Sequence, residues 1–452
     1  MSSSFFDRRG QLNPAPIILL LFLFLFSVVI AVNIQRFPPL MVLGAVAGLA
    51  VGVLTLVNTN LGLIVLIFSM LWSPEIPIAA TPERAVVLRV DDFLIIAVFF
   101  TWLAKMAITR QTGFLRHTPL NLPIFLYLGA NIFSTGLGIM SGDVDAKVSF
   151  FYILKFCEFF MIYFIFANNI QNEKQLKTFI FFFLLTSFTI GLFTYAQLGR
   201  VDRPTAPFEG EHPEPNTLGG YLLLCLAIIA GLFLQYKFSV TKVVLAFLSI
   251  FNLYPLAMTL SRSSYGGLSV AYMALLFITK RGKLLLAMLL TLFILFFPVI
   301  VPKPALKRIL NTFSGQQKFE TAGIKVKLED SAAVRVYNYQ FALLHIKNRP
   351  FFGYGVTGLG LIDAQYARSL VELGIVGFLS LLYLIWSVLK NTFQVFREVV
   401  DDFGKGLSLG FLCGFIGLLV VGIGANVFVI VRISEPLWFL AACVMSLPEA
   451  SS

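Results

Sequence analysis

Three arginines, Arg203, Arg262 and Arg335, stand out in a chain that otherwise uses little charge. A guanidinium keeps its proton at any physiological pH. Its N–H fork fits phosphate oxygens two at a time, which suits a diphosphate leaving group. Arg262 is the sharpest of the three. It sits in Thr259-Leu260-Ser261-Arg262-Ser263-Ser264, between two apolar runs with almost no loop. A cation at the edge of an apolar bundle either meets an anionic partner or snorkels to the interface, and both readings stay open for all three.

A second polar set follows in Asp363-Ala-Gln365-Tyr366, then Arg368 and Glu372. A partly buried Asp363 with a raised pKa would serve as general base on a hydroxyl. The competing reading is a helix N-cap, which Asp performs well. Gln365 and Tyr366 would support the same polar motif. Glu372 is expected within the first turns of the next helix, as a catalytic acid or as an ion-pair partner. Lys155 and Glu158, three apart in an apolar run, read as a structural pair on one helical face, in mid-span and away from the arginines.

Neither metal nor cofactor is expected. The three histidines (His117, His212, His345) are scattered, and His345 reads as a packing residue of its helix. The four cysteines (Cys157, Cys225, Cys413, Cys443) lie in apolar runs without CxxC spacing, as buried small hydrophobes do. Gly353-Tyr-Gly355-Val-Thr-Gly358 spells GxGxxG, but a dinucleotide fingerprint must follow a buried strand and open a helix. Here the motif follows a predicted helix in a loop, so a tight backbone turn is expected instead.

The elements that must hold these residues are membrane spans. Of 452 residues, 58% are hydrophobic and 13% charged, with a net charge of +11 and a mean hydropathy of +0.87. That excludes a disordered chain, a soluble enzyme and a disulfide scaffold. The chain reads as an all-α polytopic integral membrane protein with about 12–14 transmembrane helices. Spans are expected near 15–32, 38–57, 61–78, 92–108, 122–140, 149–167, 178–198, 216–235, 242–260, 264–279, 283–302, 369–389, 406–424 and 433–447. Arg8 and Arg9 precede the first, which reads as an uncleaved span.

Alternate connections are rich in Lys and Arg: Arg110 and Arg116, Lys174 and Lys177, Lys237 and Lys242, Lys280 to Lys283, Lys390 to Lys405. The positive-inside rule puts these, and both termini, on the cytoplasmic side. Short outer connections are acidic, with Glu75, Glu83, Asp91 and Asp92 in one and Asp143 and Asp145 in another.

Two outer segments are longer. Residues 199–215 carry Arg203, and a partly helical loop at 303–367 carries nine Lys/Arg against four Asp/Glu. The loop divides the chain into an N-terminal bundle (1–302), the loop itself, and C-terminal helices (368–452). Its positive charge suits an anionic ligand or anionic lipid headgroups. Within it, Ser331 is a candidate N-cap. Val334, Tyr337, Phe341 and Leu344 recur at helical spacing, with Arg335 and Asn338 on the other face and Pro350 beyond the end.

The order of these motifs resembles the bacterial O-antigen ligase and O-antigen/exopolysaccharide polymerase superfamily. The residues that carry the resemblance are Ser261-Arg262, Arg335, Pro350-Phe-Phe-Gly353-Tyr-Gly355 and Glu372-Leu-Gly374-Ile-Val-Gly377. Arg89-Val-Asp91-Asp92 and the run from Arg203 to Pro215-Asn216 add to it. The resemblance implies a GT-C-like fold in the bacterial inner membrane, with the long loop periplasmic. It implies metal-independent, inverting glycosyl transfer from undecaprenyl-diphosphate-linked oligosaccharide. Arg262, Arg335 and Arg203 would bind the diphosphate.

One departure matters. Ligases of the family place a His in the polar motif after the glycine turn, and this chain has Asp363-Ala-Gln365-Tyr366. That points to a polymerase of polysaccharide repeat units. The alternative is a ligase that moves the glycan to lipid A-core or a protein. A second alternative is a transporter or flippase of a lipid-linked or anionic solute, although no internal repeat is visible. Partners are then the lipid-linked donor, a glycan or lipid A-core acceptor, the bilayer and a chain-length regulator, with no nucleic acid.

Overall fold

The computed structural model describes residues 39–80, 85–109, 115–210, 213–297, 301–311, 317–321, 324–328, 330–360 and 362–450. The expected first span near 15–32, with Arg8 and Arg9, lies outside the described residues, as do Glu83, Arg110, His212 and Glu329.

The chain is almost entirely helical. In order it forms α1 (Pro39–Val57), α2 (Thr59–Trp72), a hairpin of β1 (Glu75–Ala80) and β2 (Ala85–Arg89), α3 (Val90–Thr109), α4 (Asn121–Met140), α5 (Ala146–Asn169) and α6 (Glu173–Gln197). Then come α7 (Pro215–Gln235), α8 (Val240–Met258), α9 (Arg262–Ile278), α10 (Lys283–Leu295) and α11 (Lys303–Leu310). A second hairpin, β3 (Gln317–Thr321) and β4 (Ile324–Leu328), precedes α12 (Asp330–His345), α13 (Gln365–Glu398), α14 (Asp402–Val421), α15 (Val431–Met445) and the short α16 (Leu447–Ala450). Among the described residues, eight helices are long and apolar enough to cross a membrane. This is a polytopic membrane protein.

Local chemistry fixes the helix starts. Asp145, Asn172, Ser261 and Asp401 each cap a helix by accepting a backbone N–H of its first turn. Pro215 opens α7, where its missing N–H costs nothing. Some expected bounds change. The span near 61–78 ends at Trp72, because Ser73-Pro74 leads into β1. In the run at 283–302, α10 ends at Leu295, and α11 is a separate helix. Ser331 falls inside α12 rather than at its cap.

α7 is the central helix, with 89% of its apolar window buried. It packs against α14 through glycines: a Cβ on Gly231 would stand 2.3 Å from the Gly406 carbonyl oxygen. Only small residues let two backbones come so close without a water-driven hydrophobic force.

α13 is not one straight rod. Gly374 breaks it at φ 67°, ψ −170°, a conformation open essentially to glycine alone. The segment after the break, Ile375–Glu398, is about 36 Å long and can cross the bilayer by itself. The segment before it, from Gln365, stays with the polar loops.

Candidate functional site

The break in α13 is filled by the glycine turn. Tyr354 N–H donates to the Val371 carbonyl (3.1 Å) and Gly355 N–H to that of Glu372 (2.8 Å). In return Ile375 N–H reaches Pro350 O (2.8 Å) and Val376 N–H reaches Phe351 O (3.1 Å). Backbone groups orphaned by the break thus find partners in the turn, as a buried backbone must. Gly353, Gly355 and Gly374 all have positive φ. Ser134 of α4 adds its hydroxyl to the Glu372 carbonyl (2.6 Å). The Pro-x-x-Gly-x-Gly and Glu-x-Gly motifs are two halves of one interlock.

Glu372 is held inside it. One oxygen accepts the Thr357 N–H (2.9 Å) and the other the Arg368 Nε (2.9 Å). The ion pair is buried on both sides. Thr357 sits at φ 76°, an unfavourable region for a β-branched residue, and the Glu372 carboxylate fixes it there.

Around this lock lies the turn at 422–430, between α14 and α15, which sequence reading passed over. Its carbonyls take Arg335 Nε at Gly424 (3.0 Å), the Tyr339 hydroxyl at Ile423 (3.0 Å) and the Gln365 N–H at Gly422 (3.0 Å). Gln365 Oε1 accepts the Phe428 N–H (3.0 Å), and Asn426 donates to Ile362 O (2.8 Å). The Tyr366 hydroxyl donates to Leu419 O (2.7 Å). Asp363, half-buried, precedes the helix cap, which falls on Ala364 without a side-chain bond. The N-cap alternative for Asp363 therefore does not apply to α13.

Arg203 is brought to the same end. Its Nε donates to Thr259 O (3.0 Å) and its Nη2 to Leu260 O (3.3 Å), at the C-terminus of α8. Those carbonyls have no partner within the helix and favour a cation. Leu260 turns at φ 52°, and Ser261 then caps α9, bonding Asn216 Oδ1 at 2.8 Å. Arg262 is the first residue of α9. Burial holds the Arg203 guanidinium below its usual pKa range, and repulsion from Arg308, Arg262 and Arg335 adds to that. Arg262 and Arg335 thus lie within electrostatic reach of Arg203. Arg308 of α11 joins them, though the sequence marked it only as one of the loop's basic residues.

A buried ionic frame supports this arrangement. Arg432, near the start of α15, donates to Pro207 O (2.5 Å), Phe208 O (3.2 Å) and Ser73 O (3.0 Å), and pairs with Glu75 (3.3 Å) and Glu209 (4.0 Å). It ties the Arg203 segment to the first hairpin. Burial pushes the Glu209 carboxyl up to about 7, with Arg432 opposing and Glu75 adding. The available signal was an Arg three before a Glu inside the last apolar run.

Lys155 does pair with Glu158 (3.0 Å), and also with Asp92 (2.5 Å). Arg89 pairs with Asp91 (2.7 Å) and approaches Glu435 (3.9 Å). Among the described residues, Asp91, Asp92 and Glu435 are the one acidic trio close enough to share a metal ion. Arg89 and Lys155 lie against those same carboxylates as cations. His345 Nδ1 donates to Phe341 O (2.8 Å), and its ring packs on that of Phe341, as a packing residue should.

No curated protein matches the chain. Residues 245–382, which hold Arg262, Arg308, Arg335, the glycine turn, Asp363 and Glu372, match the family described as O-antigen ligase. The chain is thus a multi-pass membrane protein that, over this one stretch, is similar to the O-antigen ligase family.

Proposed function

We propose that the protein polymerises polysaccharide repeat units carried on undecaprenyl diphosphate, at the periplasmic face of the inner membrane. The observation that supports this reading is the gathering of Arg262, Arg308 and Arg335 within electrostatic reach of Arg203, which itself holds the Thr259 and Leu260 carbonyls just before Arg262. Such a cluster suits a multiply charged anion.

An acceptor hydroxyl attacks the anomeric carbon of the donor glycan. The bond from that carbon to the diphosphate oxygen breaks, and the diphosphate leaves with the electron pair. Fixed guanidinium charge lies where that negative charge grows, so the transition state is stabilised more than the ground state. The reaction inverts the anomeric centre and draws its charge stabilisation from arginine rather than a metal. Asp363 takes the hydroxyl proton. Glu372, with both oxygens engaged, positions the turn and Arg368. The 303–367 loop is periplasmic, and both termini are cytoplasmic.

A second reading is favoured by the description of the matched family: a ligase that moves the finished glycan to another acceptor. A glycan gel of a deletion strain, with lipid-linked species extracted in parallel, separates the two. Loss of the ladder with single repeats still attached means polymerase. Loss of attached glycan with long lipid-linked chains accumulating means ligase. An unchanged ladder, together with wild-type transfer by Arg262→Ala and Arg335→Ala at normal expression, would overturn the arginine mechanism.

A further inference from the structure

Helix α12 faces the wrong way for a helix bathed in water. Such a helix turns its apolar stripe inward and its charges outward. Here the inward face carries Arg335 and Tyr339, bonded to the carbonyls of Gly424 and Ile423, beside the small buried Ala333 and Ala342. The outward positions are Val334 (52% exposed), Tyr337 (65%), Leu343 (59%) and Leu344 (65%). Gln340 is the one exposed polar residue among its described side chains.

The exposed apolar surface does not stop at the helix end. It runs on through Phe351 and Phe352, both exposed. The Phe352 ring meets that of Phe133, with centroids 5.0 Å apart. Phe133 is itself exposed on α4, one of the membrane-crossing helices, whose outward apolar side chains face lipid. Exposed Lys347 follows the helix, and exposed Lys303 and Lys307 lie on α11. An apolar face bordered by basic residues fits acyl chains below and anionic headgroups above.

We propose that α12 is an interfacial helix, lying on the bilayer at the site end of the bundle with Val334, Tyr337, Leu343 and Leu344 among the acyl chains. The occupant of this face is the lipid leaflet itself. The placement follows from the exposed apolar stripe and from its continuity with the lipid-facing surface of α4. One consequence rests on the function proposed above: Arg335, on the same helix, is held at headgroup depth, where the diphosphate of a membrane-bound donor must lie.

The test uses the full chain in nanodiscs of phosphatidylethanolamine and phosphatidylglycerol. A bimane probe is attached at Leu344→Cys or Lys347→Cys, with the unsubstituted chain reporting any labelling of its native cysteines. Tyr337→Cys replaces the first site if Leu344→Cys does not fold. The probe at 344 is expected to lose most of its fluorescence to lipids carrying a nitroxide high on the acyl chain, and little to aqueous iodide. The probe at 347 should show the reverse. Equal iodide quenching at both sites would overturn the proposal, because the stripe would then face water. Shielding of 344 from both quenchers would also overturn it, because protein would then cover the stripe. No substrate is involved, so this result and that of the transfer assay are independent.

Discussion

Replacing Gly374 by alanine should release the loop from the membrane bundle. At φ 67°, ψ −170° a side chain costs about 1–3 kcal/mol in strain alone. A Cβ would also stand 2.4 Å from the carbonyl carbon and oxygen of Phe351 and 2.5 Å from Phe352 N. These are backbone atoms, held by the hydrogen bonds that fill the break, so they cannot move aside singly. The alternative is to undock the turn and lose four backbone hydrogen bonds. At roughly 1 kcal/mol each, that is about 4 kcal/mol, or about a thousandfold in the ratio of docked to undocked loop. Arg335, Asp363 and the Glu372–Arg368 pair all depend on the docked form. Gly374→Ala should therefore insert in the membrane at normal levels, become sensitive to protease between residues 345 and 365, and lose transfer activity. Wild-type protease resistance together with wild-type transfer would refute the interlock as the element that positions the site.

Three further outcomes are expected. Glu372→Ala leaves Arg368 buried without its carboxylate, and should lower stability by about 3–5 kcal/mol, read as a fall in thermal unfolding temperature in detergent. Asp363→Asn should leave that temperature unchanged while transfer falls, and equal activity would remove Asp363 as the base. Glu209 has its folded pKa raised from the ordinary 4.5 to about 7. Its contribution is then fully present below pH 4.5 and is lost as pH rises to about 7, roughly 3 kcal/mol in all at 1.36 kcal/mol per pH unit. Glu209→Gln should flatten that part of the stability profile, and an unchanged slope would show that Glu209 is not the group responsible.

Much of the architecture is written in the chain itself. Apolar runs of bilayer length have one stable solution, the helix, because lipid offers backbone groups no other partner. The positions of α1, α4 and α7 follow from that alone. The arginines were legible for a related reason: an ionised side chain is costly beside hydrocarbon, so its presence asks for an explanation. Glycines at 353 and 355 announced a tight turn, whereas the break at Gly374 fell inside a run that reads as one span.

Other features depended on contacts between distant segments. Nothing local to Gly422–Ile430 marks it as the turn that receives Arg335, Tyr339 and Gln365, because it acts through carbonyl oxygens that every residue possesses. Arg308 became a neighbour of Arg203 only when α11 packed beside α8. The apolar stripe of α12 was visible as a period, but not its direction. Periodicity says which residues share a face. Which medium that face meets is decided by the partners of the opposite face, and here the Arg335 and Tyr339 bonds to a remote turn set it.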